Sequence, residues 1–228
     1  MKISVIIPVF NEATELPATL AALRAQEALL EVILVDAGST DSTAIIASEA
    51  GANIVFSPQR QRAAQMNLGA AAARGDALLF LHADTRLAPG ALRTMEAAFQ
   101  QKDVAGGGFA RRFDSPSLIL RATCALAEAR TRICGWFFGD QAIFARRTVF
   151  TALGGFSEWD VFEDLDFSRR LARVGRVVTL RPPVVSSARR FHVGAARTTW
   201  RDFALTMRFL ASARPPDNIP SRSLCSEP

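Results

Sequence analysis

Four short apolar runs, at residues 3–9, 32–36, 53–56 and 77–82, alternate with stretches of helical spacing at 14–25, 41–49, 61–73 and 90–100. No other feature restricts the chain as much. Runs such as Ile3-Ser4-Val5-Ile6-Ile7 and Ala77-Leu78-Leu79-Phe80-Leu81 lack the polar alternation of a sheet wetted on one face, so they suit strands covered on both faces. Strand and helix repeated in this way predict right-handed crossovers and an α/β, Rossmann-like, mainly parallel sheet flanked by helices. Ligands of such sheets bind beyond the carboxyl ends of the strands.

Beyond residue 100 the order changes, and a mixed sheet is expected. Residues 104–113 read as a strand carrying three glycines, 118–135 as a helix, 142–145 as a short strand and 162–174 as a helix. Strands at 176–180 and 184–192 are separated by Pro182-Pro183, and 198–211 reads as a last helix. On that helix Trp200, Phe203, Ala204, Met207 and Leu210 share one face, which predicts packing against the same domain or, alternatively, a peripheral membrane contact or a homodimer contact. The organisation expected is a domain over 1–195, an amphipathic helix over 196–214 and a disordered Pro- and Ser-rich tail over 215–228.

A chain of 228 residues is long enough for a substantial core, and the longest uncharged run is the 11 residues 63–73. A bilayer span needs about 20 apolar residues, so no membrane-crossing helix is expected. The first residues pass directly into a strand without a leader pattern, which predicts a cytoplasmic protein, with the inner membrane surface as a further location. Cys124, Cys134 and Cys225 are odd in number and lack metal-type spacing, so neither a disulfide framework nor a zinc site is indicated. Residues 165–228 hold 12 of the 27 basic residues but only 4 of the 22 acidic ones, and all the basic residues except Lys2 and Lys102 are arginines. Arginine suits bidentate phosphate binding. The basic stretch lacks interleaved stacking aromatics, and nucleic acid is not an expected partner.

Two strands end in acidic loops. Residues 31–35 deliver Asp36 into Ala37-Gly38-Ser39-Thr40-Asp41, where Ser39 or Asp41 is suited to cap the next helix while Asp36 has no evident structural role. Residues 77–81 run into His82-Ala83-Asp84, and an extended chain through 84 would project His82 and Asp84 to one side, spaced to grip a cation or the phosphates it carries. A capped βα turn is the plainer explanation of either loop alone; the repetition favours a site.

With these motifs the chain resembles the family 2 glycosyltransferases of the GT-A fold, in their small bacterial single-domain branch. The likeness spans residues 1–195 and is carried by Val5-Ile6-Ile7-Pro8-Val9-Phe10-Asn11-Glu12, Val35-Asp36-Ala37-Gly38-Ser39-Thr40-Asp41, Arg60 through Asn67-Leu68-Gly69, His82-Ala83-Asp84, Gly139-Asp140-Gln141, and Phe162-Glu163-Asp164 followed by Arg169-Arg170-Leu171. It implies an inverting transfer of sugar from a nucleotide-diphosphate donor to a hydroxyl acceptor, which includes lipid-linked acceptors, assisted by a divalent cation, Mn²⁺ or Mg²⁺. Under that resemblance Pro8, Phe10, Asn11, Glu12 and Asp36 line the nucleoside pocket, and Arg60 and Asn67 lie near the nucleotide, although Asn67 also suits a polar place on an Ala-rich helix. Asp84 takes the metal and diphosphate, with His82 and His192 as further metal ligands, and Arg189 and Arg190 sit near the diphosphate. Asp140 and Gln141 face the acceptor. Asp164, with Glu163 beside it, is the catalytic base. Ala37 stands where a second acid is frequent, and His82 where the first acid of the metal motif is usual. The competing readings are a catalytically silent sugar-nucleotide binder and a nucleotidyltransferase, and the latter normally has a Gly-rich basic loop that residues 9–15 do not supply.

Overall fold

The computed structural model describes residues 1–28, 30–191 and 194–212. Its first half follows the predicted alternation: β1 (Ile3–Val9), α1 (Leu16–Arg24), β2 (Leu30–Asp36), α2 (Thr43–Glu49), β3 (Asn53–Phe56), α3 (Arg62–Ala72) and β4 (Ala77–Phe80). β1 pairs in parallel with β2 on one side and β4 on the other, and β2 pairs in parallel with β3. Ile3, Val5 and Ile7 pack with Leu16, Leu20 and Leu23 of α1, while Ile6, Ile33 and Val35 pack with Met66 of α3. This covering of both faces is why these strands are apolar at successive positions. α3 lies so close to the sheet that a Cβ on Gly69 would stand 2.5 Å from the Ile6 side chain, so glycine is what permits the approach.

The second half supplies β5 (Thr85–Arg86), α4 (Ala91–Phe99), β6 (Val104–Phe113), α5 (Leu118–Cys134), β7 (Phe144–Arg146), α6 (Arg147–Ala152), α7 (Glu163–Val174), β8 (Arg176–Ser186) and α8 (Ala195–Ser212). Short 3₁₀ turns occupy Gly139–Gln141 and Arg189–Phe191. The strands form one eight-stranded sheet in the order β3-β2-β1-β4-β7-β6-β8-β5. β7 is antiparallel to both β4 and β6, so it joins the parallel half to the later half.

Several expectations change here. Pro182-Pro183 does not split a strand: β8 runs through it, pairing Leu180 with Phe109 and Val184 with Arg111, so the prolines fall in an irregularity where ladder N–H groups are not required. The strand expected at 184–192 stops at Ser186, and residues 189–191 coil into a turn. β4 stops at Phe80 rather than 82, because the chain turns and Thr85 N–H donates to the His82 carbonyl at 3.1 Å. α6 and the two-residue β5 carry too short a pattern to be read in advance. The expected tail at 215–228 lies outside the described residues.

α8 also differs in which face it buries. Phe209 is the buried aromatic, stacked on Phe162 with ring centroids 4.9 Å apart and set 5.9 Å from Trp159. Trp200, Phe203 and Met207, on the face expected to pack against the domain or to make a membrane or homodimer contact, are 72%, 55% and 49% exposed, which removes the first of these. Behind the end of β4 the rings of Phe80, Phe150, Phe156 and Phe167 interlock at 4.7 to 5.5 Å. Each such pair contributes about 1 kcal/mol beyond its burial. Together they hold α6, α7 and the loop between them against the sheet.

Candidate active site

The carboxyl ends of β1 and β2 are laced together by short polar contacts. Asn11, at φ 53°, accepts the Thr40 N–H at 2.8 Å through Oδ1, and its own N–H donates to Ser39 Oγ at 2.9 Å. Glu12 N–H donates to Thr43 Oγ1 at 2.8 Å and Ala13 N–H to Asp41 Oδ2 at 3.1 Å. Asp41 therefore ties two loops together and also meets the start of α2, as its place in the sequence suggested, its Oδ1 accepting the Thr43 N–H at 2.9 Å. Asp36 does have a structural role, since its Oδ1 accepts both the N–H (3.0 Å) and the hydroxyl (2.6 Å) of Ser39. Pro8 lies within β1, and the Arg60 guanidinium sits 3.6 Å above the centre of the Phe10 ring. Asn67 takes the plainer of its two readings, because its side-chain amide is closed in a two-way exchange with the Phe156 backbone, 2.9 Å in each direction.

Across this edge Arg189 donates to Glu12 Oε1 at 2.7 Å and lies 3.5 Å from Asp84 Oδ2. Burial pushes the Asp84 carboxyl above its ordinary range; Arg189 opposes this and the negative charges of Glu12 and Glu15 add to it. The second oxygen of Glu12 is shut from solvent without a hydrogen-bond partner. Arg190 turns away to Asp202 of α8, at 2.7 Å. Asp84 with the unpartnered Glu12 oxygen is a hard oxygen donor set, which fits a divalent cation that brings further oxygens on phosphate. Among the described residues no group of three or more metal-capable side chains is preassembled. His192 lies outside the described residues.

The extended chain to residue 84 on which a shared side for His82 and Asp84 rested is absent, since β4 ends at Phe80 and the chain turns. Its ring abuts the 3₁₀ turn, where a Cβ on Gly139 would lie 2.6 Å from His82 Nε2 and 3.3 Å from Asp164 Oδ2. The Nε2 atom has no hydrogen-bond partner, and burial, then Arg62, pull the imidazole down to about 3 against the attraction of Asp140, so it is neutral near pH 7.

α7 begins at this point. Phe162 takes the left-handed conformation (φ 64°) and turns the chain so that Glu163 and Asp164 head the helix. Asp164 Oδ2 accepts the Gly139 N–H and Oδ1 accepts the Leu165 N–H, both at 2.6 Å. Burial raises the Asp164 carboxyl above its ordinary range despite the Gly139 bond and Arg62. Glu163, 2% exposed, is raised by burial as well, and Arg62 Nη1 meets its Oε1 at 3.3 Å. Burial would raise Asp140 too, but Arg111, which grips it, brings it below the ordinary range with help from His82 and Arg130. Gln141 is fully buried and accepts from Arg130 at 2.6 Å while donating to the Phe109 carbonyl at 3.3 Å. It serves to hold the turn.

His82 and Asp164 thus meet at Gly139, with Asp140 and Glu163 next to them in the chain, while Arg189 joins Glu12 and Asp84. Arg62 and Arg111 escaped the sequence reading. The one available signal was the position of Arg62 two residues after Arg60, at the start of the helix leaving β3; nothing local marks Arg111.

A mainly parallel α/β sheet joined to a later half through an antiparallel strand, with acidic loops at its parallel strand ends, is the arrangement of the GT-A fold. The glycosyl transferase family 2 profile matches residues 4–156, and the chain belongs to that family. It is 31% identical to a PGL/p-HBAD biosynthesis glycosyltransferase of Mycobacterium bovis, over 73% of this chain and 68% of that protein. It is also 31% identical to the undecaprenyl-phosphate 4-deoxy-4-formamido-L-arabinose transferase of Sodalis glossinidius, over 83% of this chain and 61% of that one. Among solved structures, S. aureus TarS 1-349 superposes with a TM-score of 0.69 at 17% identity, covering 83% of this chain and 61% of TarS 1-349. The Pyrobaculum calidifontis mannosyltransferase PcManGT, in complex with GDP-Man and Mn²⁺, superposes at 0.66 with 24% identity, over 81% of this chain and 56% of that one. The chain spans roughly two thirds or less of the length of these proteins.

Proposed function

We propose that the chain transfers a sugar from a nucleoside-diphosphate donor to an acceptor hydroxyl in one displacement, with inversion at the anomeric carbon. The observation that carries this reading is Asp164, a carboxylate at the head of α7, gripped by two backbone N–H groups and raised by burial above its ordinary range, in the direction that suits a base. The acceptor oxygen attacks the anomeric carbon, the bond from that carbon to the diphosphate oxygen breaks with its electrons, and the hydroxyl proton passes to Asp164. Glu163, held by Arg62, keeps a second acid beside it.

Pro8, Phe10, Asn11, Glu12 and Asp36 are assigned to the nucleoside, with Arg60 closing over Phe10. Arg189 takes the diphosphate in exchange for its carboxylate partners, and Arg190 is assigned beside it. Asp84, with Glu12, would hold a divalent cation; when bound, such an ion neutralises the charge that develops on the leaving diphosphate. PcManGT, seen with Mn²⁺, supports this by analogy. His82, kept neutral, borders Asp164 and is assigned to shaping the turn. Asp140 faces the acceptor. The lipid phosphate in the name of the Sodalis relative makes a lipid-linked acceptor the first class to try.

The test is calorimetry with UDP-, GDP- and dTDP-sugars, with and without Mn²⁺ or Mg²⁺, followed by release of nucleoside diphosphate from whichever donor binds, water serving as acceptor. Asp164→Asn should slow release by about a hundredfold or more while donor affinity stays within about threefold. Release that survives within tenfold would remove Asp164 as the base.

A further inference from the structure

Between β6, α5 and β8 lies a cleft of about 390 Å³ that contains none of the residues assigned to the donor. Its walls carry Arg111, Arg112, Arg121 and Arg181 against one carboxylate, Glu128. That carboxylate is already committed, accepting from Arg181 at 2.6 Å and from Arg132 at 2.8 Å through the same oxygen. Arg112 and Arg121 are exposed and have no ion-pair partner among the described residues. Arg111 grips Asp140 and donates to the Thr123 carbonyl at 3.4 Å, yet its Nε is shut from solvent without a partner. Phe113 and Leu120 supply an apolar wall.

Two arginines without an ion-pair partner among the described residues, Arg112 and Arg121, beside an apolar-walled space suit an anion with an apolar body. Guanidinium groups pair with phosphate through two parallel hydrogen bonds, and this geometry favours phosphate over a diffuse negative charge. The cleft also communicates with the acid pair: Arg111 holds Asp140, and the neighbouring Gly139 N–H holds Asp164 at 2.6 Å. Arg111 is thus the cleft residue that links it to the turn holding Asp164.

We propose that this cleft is the docking subsite for a phosphate monoester group on the acceptor, gripped by Arg112 and Arg121, with the apolar part of the acceptor against Phe113 and Leu120. The assignment to the acceptor rests on the glycosyltransferase reading above. Such a group comes either from a soluble phosphate monoester or from a lipid headgroup in a membrane.

Both sources are tested with the full chain and with the Arg112→Ala/Arg121→Ala double variant. Hexyl phosphate is titrated by calorimetry in the presence of saturating UDP or GDP, and co-sedimentation is measured with phosphatidylcholine vesicles with and without phosphatidic acid. The double variant should bind hexyl phosphate at least about tenfold more weakly, with nucleotide affinity and melting temperature unchanged, since both side chains are exposed and outside any ion pair among the described residues. Arginine dependence in the soluble arm alone assigns a soluble acceptor and in both arms a membrane-borne one; either supports the subsite. Equal affinity in parent and double variant, or competition between UDP and hexyl phosphate, overturns it. If no nucleotide binds the parent while hexyl phosphate still depends on the two arginines, the glycosyltransferase reading fails and the anion site stands.

Discussion

A single methyl group at Gly139 has nowhere to go. It would press on His82 Nε2 at 2.6 Å and on Asp164 Oδ2 at 3.3 Å, and the N–H of this residue is the one that grips Asp164. Gly139→Ala should therefore cost about 1 to 3 kcal/mol of stability by overpacking and reduce turnover more than donor affinity, which denaturant titration and donor calorimetry separate. Asp164 also sets a pH signature. Its carboxyl, like that of Glu163, is raised in the folded protein, so folding favours the protonated form: that contribution to stability is fully present below the unfolded value near 4 and is lost as pH rises through the folded value. In the proposed role of base, Asp164 works only when ionised. Activity should therefore rise over the same window in which this part of the stability falls, and kcat/KM profiled beside melting temperature reads both. An acid limb at pH 4 or below would remove the effect. At this scale the sequence marked Asp36, Asp84 and Asp164 through the loops that carry them, whereas Arg62 and Arg111 act from helix and strand positions that look like ordinary charged surface. Their partners are fixed only by the fold.

Among the elements, α8 shows how a correct periodicity can leave the face undecided. The spacing of its apolar residues was visible, but two stripes were available, and the ring stack of Phe209 on Phe162 selects the one that leaves Trp200, Phe203 and Met207 in solvent. The aromatic edge of α8 thus supports a residue held at φ 64° immediately before the acid pair. Left-handed backbone at a bulky residue costs about 1 kcal/mol or more, and a fixed neighbour is needed to keep it there. The exposed face, flanked by Arg201 and Arg208, meets the description of a helix that lies in a membrane interface. Vesicles containing anionic lipid should co-sediment the chain at low salt, and Trp200→Ala/Phe203→Ala should release it; absence of salt-sensitive binding in the parent would remove this role. β8 is the opposite case. Its prolines read as a break, and only the partner strand β6 reveals that the ladder resumes beyond them.

For the whole molecule, alternation in the first hundred residues was sufficient to give the parallel half of the sheet, because each crossover is local and each strand pairs with one read nearby. The other half depends on pairings between distant segments that carry no local mark. β7, read one or two residues away from its place, is inserted between β4 and β6, and β8 returns from residue 176 to lie beside β6. The interleaved order has a consequence for synthesis from the amino terminus. Until residue 146 has left the ribosome the inner edge of β4 stays open, and until 186 has followed, so does the long edge of β6, whose residues 104–110 are all buried in the finished sheet. Open apolar edges recruit other chains. A shortened chain ending at residue 156, where the family match ends, should therefore form inclusion bodies, while one ending at 212 stays dispersed, and the ratio of pelleted to dispersed protein after expression measures the difference. Nascent chains halted in that interval are the ones for which a holding chaperone has most to cover.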